Sequence, residues 1–301
     1  MASAGIDVVH IPPIPREILL AFTDSENPWV RSVDRHIDLL NKQMKNLPLQ
    51  YKWRFRDTNA FTARVHELVK TAKDALELNQ FAWRDHLASC EAYSLLTTWR
   101  NIDLVKGGVW AIARGEVVTS AVLARSAIET AAQLADMARK TMATLAGETK
   151  EKGKGRLLDP ELDLHANRVV SQDFENLILK TLYATRLPGT EEFYNATNIF
   201  SIIQQTAKIP GQELVLKMYE NLCEVAHPNF IGKSLYLLDF KPGSIAGEEL
   251  RTIGPGNGPS SREIVETSLG ALSWACGTNA SAFDLMSNTI HAVATRLELI
   301  K

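Results

Sequence analysis

Two short segments of the chain carry residue types that could do acid–base or anion chemistry. In "AVLARSAIETAAQLADM", Arg125 and Glu129 stand four residues apart, and in "YENLCEVAHPN", Tyr219, Cys223 and His227 recur at the same interval. On an α-helix that interval puts side chains on one face, so each segment presents one chemical stripe. A histidine there could serve as general acid or base, with Arg125 stabilising a phosphoryl oxyanion and Glu129 and Tyr219 orienting both. Ser126, Cys223 and Asn229 would stand beside them as binding groups. The plainer reading is structural. Arg125 and Glu129 form an ion pair that braces a packed helix, and His227 is a histidine satisfied within the fold. His-Pro at a helix end sharpens the functional reading, because the C-terminal end of a helix favours a cationic imidazole.

A metal reading competes for part of the same stripe. His86 with Cys90 and Cys223 with His227 each sit four apart, so two helices could supply four tetrahedral zinc ligands. The cofactor expectation is nonetheless none. "YKWRFR", residues 51–56, alternates aromatic and basic side chains. Such a segment could stack bases and hold phosphates, or its aromatics could simply seal a helical core. "IGPGNGPSS" lacks the Lys-Ser/Thr of a phosphate loop and reads as a flexible loop.

These groups need elements to position them, and the totals limit which. The 33 Lys and Arg nearly balance 35 Asp and Glu, so no global field draws in nucleic acid or an anionic membrane, and RNA or nucleotide would need a local patch. The three cysteines, an odd number, argue against a disulfide framework and for a reducing, cytoplasmic setting. "MASAGIDVVHIPPIPREILLAF" has no basic segment leading into an apolar run and reads as no signal peptide. The most apolar stretches, 116–146 and 262–300, are broken by Arg125, Glu129, Asp136, Asn279, Asp284 and His291. They read as core helices rather than membrane spans.

Helical periodicity dominates the rest. Residues 1–23 are proline-punctuated and read as an extended arm. Asn27 or Ser25 caps and Pro28 opens a helix over about 28–46, with Val30, Val33, Ile37, Leu40 and Met44 on one face. Gly107-Gly108 suggests a break in the helical run that follows residue 80, Asp159-Pro160 suggests another helix start, and Pro210 opens the helix that carries Tyr219. "GETKEKGKGRLLDPE" is a linker by composition. The glycine- and proline-rich stretch after Gly232 reads as a loop or small hairpin, and a last helix capped by Ser260 or Ser261 closes the chain. Its Gly270, Ser273, Ala275, Gly277, Ala280 and Ser281 suggest a tightly packed centre or a self-association seam, which would make a homo-oligomer such as a dimer. With no alternation of strand and helix, the expectation is an all-α, up-and-down bundle of about seven helices, a single domain over 24–301.

The Arg-Ser-x-x-Glu helix at Arg125, Ser126 and Glu129, followed by Tyr-x-x-Leu-x-x-x-x-His-Pro at Tyr219, Leu222, His227 and Pro228, resembles a bacterial all-helical family of unassigned function. Cys223 stands where that family tends to have serine. The family in turn resembles the HEPN superfamily, and the likeness covers about residues 85–300. It implies a helical effector of a toxin or phage-defence type, either a metal-independent ribonuclease or a nucleotide or nucleic-acid binder. HEPN ribonucleases carry Arg, four to six residues, then His on one helix. Positions 220–222 here are Glu, Asn and Leu, so Arg125 would have to stand in from the other helix. The spacing occurs formally from Arg31 to His36, a match short enough to arise by chance.

Overall fold

The computed structural model describes residues 10–48, 50–53, 58–146, 156–169, 172–185, 188, 197–227, 229–242, 249–254 and 260–300. Among them are eleven α-helices and one two-stranded antiparallel sheet, an all-α bundle fold. In chain order these are α1 (Arg16–Leu20), α2 (Pro28–Arg31), α3 (Val33–Met44), α4 (Thr58–Thr71), α5 (Ala75–Ala113), α6 (Val117–Ala146), α7 (Gln172–Tyr183), α8 (Ile199–Thr206), α9 (Leu214–Ala226), α10 (Phe230–Ser234), β1 (Leu237–Pro242), β2 (Glu249–Ile253) and α11 (Ser261–Arg296). No helix among the described residues is long and apolar enough to cross a membrane.

Contacts gather the chain into two compact units. The first comprises Met1–Leu47, Thr98–Gln133 and Ile199–Ala280, and the second Pro48–Thr97, Leu134–Asn198 and Ser281–Lys301.

In the first unit, the expected N-terminal helix is present but divided. Asn27 Oδ1 accepts from Trp29 N at 3.0 Å and Pro28 opens α2, yet Ser32 leaves the helical region at φ −108° and ψ 4°, and α3 starts afresh. The Arg31–His36 spacing therefore straddles a helix break. Val30, Val33, Ile37, Leu40 and Met44 are all buried, as their spacing requires. The stretch read as an extended arm holds the short α1, and beyond it Asn41 grips the backbone of Ile11 in both directions, each bond at 3.0 Å. Gly107-Gly108 does not break α5. A Cβ on Gly108 would lie 2.9 Å from Leu272, so the glycine is there for close approach. Nor does Pro210 open α9. It lies in a turn with Gly211 at φ +82°, and the helix begins at Leu214. The hairpin expected after Gly232 is the β1–β2 pair, with a bulge between Leu237 and Asp239.

Gly270, Ser273 and Gly277 of α11 meet side chains of the same unit. A Cβ on Gly270 would sit 2.7 Å from Asn27 Nδ2 and 3.0 Å from Met218 Sδ, and Gly277 faces the His36 ring. His36 Nδ1 is 2.8 Å from Ser273 Oγ, and its ring lies 5.5 Å from that of Trp29. Burial, helped by Arg35, holds the His36 pKa below the ordinary histidine value. As pH falls below about 6.5, the unfolded chain takes up a proton that folded His36 resists, so stability drops on acidification and is fully present above that pH. The difference in urea midpoint between wild type and His36→Gln should therefore narrow from pH 7.5 to pH 5. A difference that is flat with pH would contradict it.

The second unit packs around Trp83, Leu87, Leu134, Leu145, Phe174, Met286 and Val293, all buried. Residues 156–169 cross this core without forming a helix, contrary to the Asp159-Pro160 expectation. Asp159 Oδ1 instead accepts from Glu161 N at 3.0 Å, a local turn. The segment is held by side chains from elsewhere. Asn79 Nδ2 donates to Leu164 O and Asn167 O, Asn79 Oδ1 accepts from Val169 N, and Trp83 Nε1 donates to Val169 O. Arg296 donates to the carbonyls of Asp159 and Leu162. The "GETKEKGKGRLLDPE" linker up to Gly155, the second half of "YKWRFR" (54–56) and residues 255–259 lie outside the described residues.

Candidate functional site

Both stripes read from the sequence fall in the first unit. α6 is apolar round much of its girth, with Ala121, Ala124, Ala127, Ile128 and Ala131 fully buried, while Val122 faces out. Arg125 and Glu129 stand at the margin of that buried face, their side chains 26% and 27% exposed. α9 packs through Val215, Met218, Leu222 and Val225, and Tyr219 is drawn in with them at 4% exposure. Its hydroxyl must therefore find a partner inside the fold.

That partner is Glu129. Tyr219 Oη donates to Glu129 Oε1 at 2.9 Å, and Arg125 Nη2 lies 3.1 Å from the same oxygen. The Arg125 guanidinium also sits over the Tyr219 ring at 5.6 Å, within the range of a cation–π contact. Phe200 of α8 closes the other side, its ring 6.3 Å from that of Tyr219. Phe200 was not marked by the sequence, since nothing in its local spacing separates it from an ordinary packing aromatic.

Electrostatics follow from this geometry. Burial, with the Glu129 carboxylate accepting its proton, pushes the Tyr219 hydroxyl up to about 12 even though Arg125 works the other way. For Arg125, burial opposes the charge, but the Tyr219 hydroxyl, Glu129 and Cys223 more than offset it and its pKa is raised. Arg125 is thus a permanent cation and Tyr219 a permanent neutral donor at physiological pH. Arg125 Nε is buried without a hydrogen-bond partner among the described residues.

The remaining candidates are placed differently. Ser126 Oγ bonds back to Val122 O at 3.0 Å, and Cys223 is half-buried beside the Arg125–Tyr219 pair. His227 ends α9 in extended geometry, φ −86° and ψ 155°, as the residue before a proline must. Its N–H still reaches Cys223 O at 3.0 Å, but the side chain is exposed and its imidazole makes no hydrogen bond or ion pair among the described residues. Pro228 itself lies outside them. Asn229 Nδ2 donates to Glu224 Oε2 at 3.0 Å.

The chain turns sharply here because of Gly232, whose Cβ would sit 2.8 Å from Val225 O and 3.2 Å from His227 O. A Gly232→Ala variant must push α10 off the end of α9. It should lose about 1–3 kcal/mol and move the His227 ring resonances, as seen by denaturation and NMR. Unchanged resonances would show that α10 has no hold on this helix end.

Among the described residues no group of three or more His, Cys, Asp or Glu could hold a metal ion. His86 and Cys90 belong to one unit, and Cys223 and His227 to the other. His86 packs by its edge on Trp83 and Phe174, and burial pushes the Cys90 thiol up to about 12, away from the thiolate that zinc requires.

No family model, curated protein or solved structure matches the chain.

Proposed function

We propose that the protein is a non-catalytic helical binding protein in which Arg125, Glu129 and Tyr219 clamp α9 onto α6. The observation that carries this reading is that one carboxylate oxygen of Glu129 takes both Arg125 and Tyr219. The groups that would supply an oxyanion holder and an orienting acid are spent on one another, and a phenol held near 12 is a poor proton shuttle at neutral pH. Binding by an oligomer, as a dimer, belongs to the same proposal.

A second reading has its own support. His227 is exposed and its imidazole has no partner among the described residues, at the helix end where a general acid or base of a HEPN-like, metal-independent ribonuclease would stand, or where RNA or a nucleotide of a toxin or phage-defence system would be touched. One experiment separates the two. Purified wild type and His227→Ala are incubated with labelled RNA in excess chelator, with light scattering to give the oligomeric state. The binding reading expects no cleavage by either protein. Chelator-resistant cleavage by wild type that disappears in His227→Ala, with unchanged thermal melts, would replace it with the ribonuclease reading.

A further inference from the structure

The second unit contains a groove of about 420 Å³ between α5 and α11, within the size range of small-molecule sites. Its floor is apolar, formed by Leu87, Ile290, Ala294 and Leu299, with Leu87 and Ala294 reaching into the buried core. Leu299 is there because α11 ends in a reversed turn. Glu298 adopts φ +53°, Glu298 N donates to Thr295 O at 3.0 Å and Leu299 N to Ala294 O at 2.9 Å, the bond pair of a Schellman cap. Left-handed geometry is unfavourable for a glutamate. Here it brings Leu299 back into the floor of the groove.

The rim carries charge of one sign at one end. Gln80 Nε2 donates to Leu297 O at 2.9 Å, which ties the start of α5 to the turn that ends α11, and Arg84, Leu87 and His291 line the same groove. Arg84 is exposed and has neither hydrogen bond nor ion pair among the described residues, and the same holds for the His291 imidazole. The acid of the rim, Glu91, lies two turns further along α5, about 10 Å by helix rise, and accepts from Tyr51 Oη at 2.8 Å.

An apolar trough with an unpaired guanidinium at one mouth fits an amphipathic anion. We propose that this groove binds a small carboxylate with an apolar body, its head on Arg84 and His291 and its body along Leu87, Ile290, Ala294 and Leu299. Arginine offers a carboxylate two parallel N–H donors, and the apolar floor removes the tail from water. The site goes beyond the clamp reading and does not depend on it.

Calorimetric titration of the full chain with decanoate, decan-1-ol and decyltrimethylammonium tests the assignment, since the three probes share a tail and differ in the head. Decanoate should bind with a Kd on the order of 0.1 mM. The other two should bind at least about tenfold more weakly, and Arg84→Gln should weaken decanoate by about tenfold while melting like wild type. Ala88 also lines the trough, and Ala88→Phe, which fills it, should abolish binding of all three. Absence of decanoate binding to wild type, equal affinity for the three heads, or wild-type affinity in Arg84→Gln would overturn the proposal.

Discussion

Replacing Asn79 with alanine is expected to cost the protein about 3–4 kcal/mol of stability, a large effect for a polar residue. Asn79 is 1% exposed and makes three hydrogen bonds to backbone, with Leu164 O at 3.1 Å, Asn167 O at 2.8 Å and Val169 N at 2.9 Å. Residues 156–169 have no helix or strand of their own, so these groups have no replacement partners there. Alanine removes the three bonds and leaves backbone groups buried without satisfaction. Asn79→Asp provides the graded control, since it keeps the acceptor for Val169 N but presents carboxylate oxygens to two carbonyls. Urea denaturation should rank wild type well above both variants. A loss below about 1 kcal/mol in Asn79→Ala would mean that water takes over these bonds.

Glu129→Ala should rank close behind, at about 2–3 kcal/mol. The substitution strips Tyr219 of its hydrogen-bond partner in a place where only 4% of the residue sees solvent, and it leaves Arg125 without its acid. The Arg125–Glu129 pair is itself about a quarter exposed, so solvent screens much of its attraction, and most of the loss comes from the orphaned phenol. A double-mutant cycle with Tyr219→Phe should therefore return a coupling of about 1 kcal/mol. Removing the carboxylate should also lower the phenol from about 12, which absorbance titration reads directly. Additive losses and an unmoved phenol would show that the Glu129–Tyr219 contact has no energetic weight in solution.

Much of the helical framework was legible because periodicity is a local signal. The α3 face of Val33, Ile37, Leu40 and Met44, the limits of α6 and the start of α11 follow from spacing and capping alone, whereas α11 stops at Arg296, short of the expected 300. Local signals also misled where tertiary packing overrode them. Gly107-Gly108 looked like a break, but its lack of side chains lets Leu123 and Leu272 approach an unbroken α5. Asp159-Pro160 looked like a helix start, but its neighbours find partners in Asn79, Trp83 and Arg296, residues 80 or more positions away, and no window of sequence reveals such bonds.

The candidate site divides in the same way. Spacing alone puts Arg125 beside Glu129 and aligns Tyr219 with Cys223 and His227. It does not tell which member of the second stripe meets the first. The contact belongs to Tyr219, set among the packing residues of α9, while His227 at the C-terminal cap of the helix is exposed. Phe200 completes the surroundings from a third helix that carries no distinguishing pattern.

Asn79 has one more consequence, which concerns time rather than energy. The Val169 amide is bonded to a side chain instead of to a helix or sheet neighbour, so its protection from deuterium has no ladder to unzip residue by residue. Its exchange should follow a single opening event in which Asn79 lets go. In an amide-resolved deuterium-uptake experiment, Val169 would act as a clock for that one side chain.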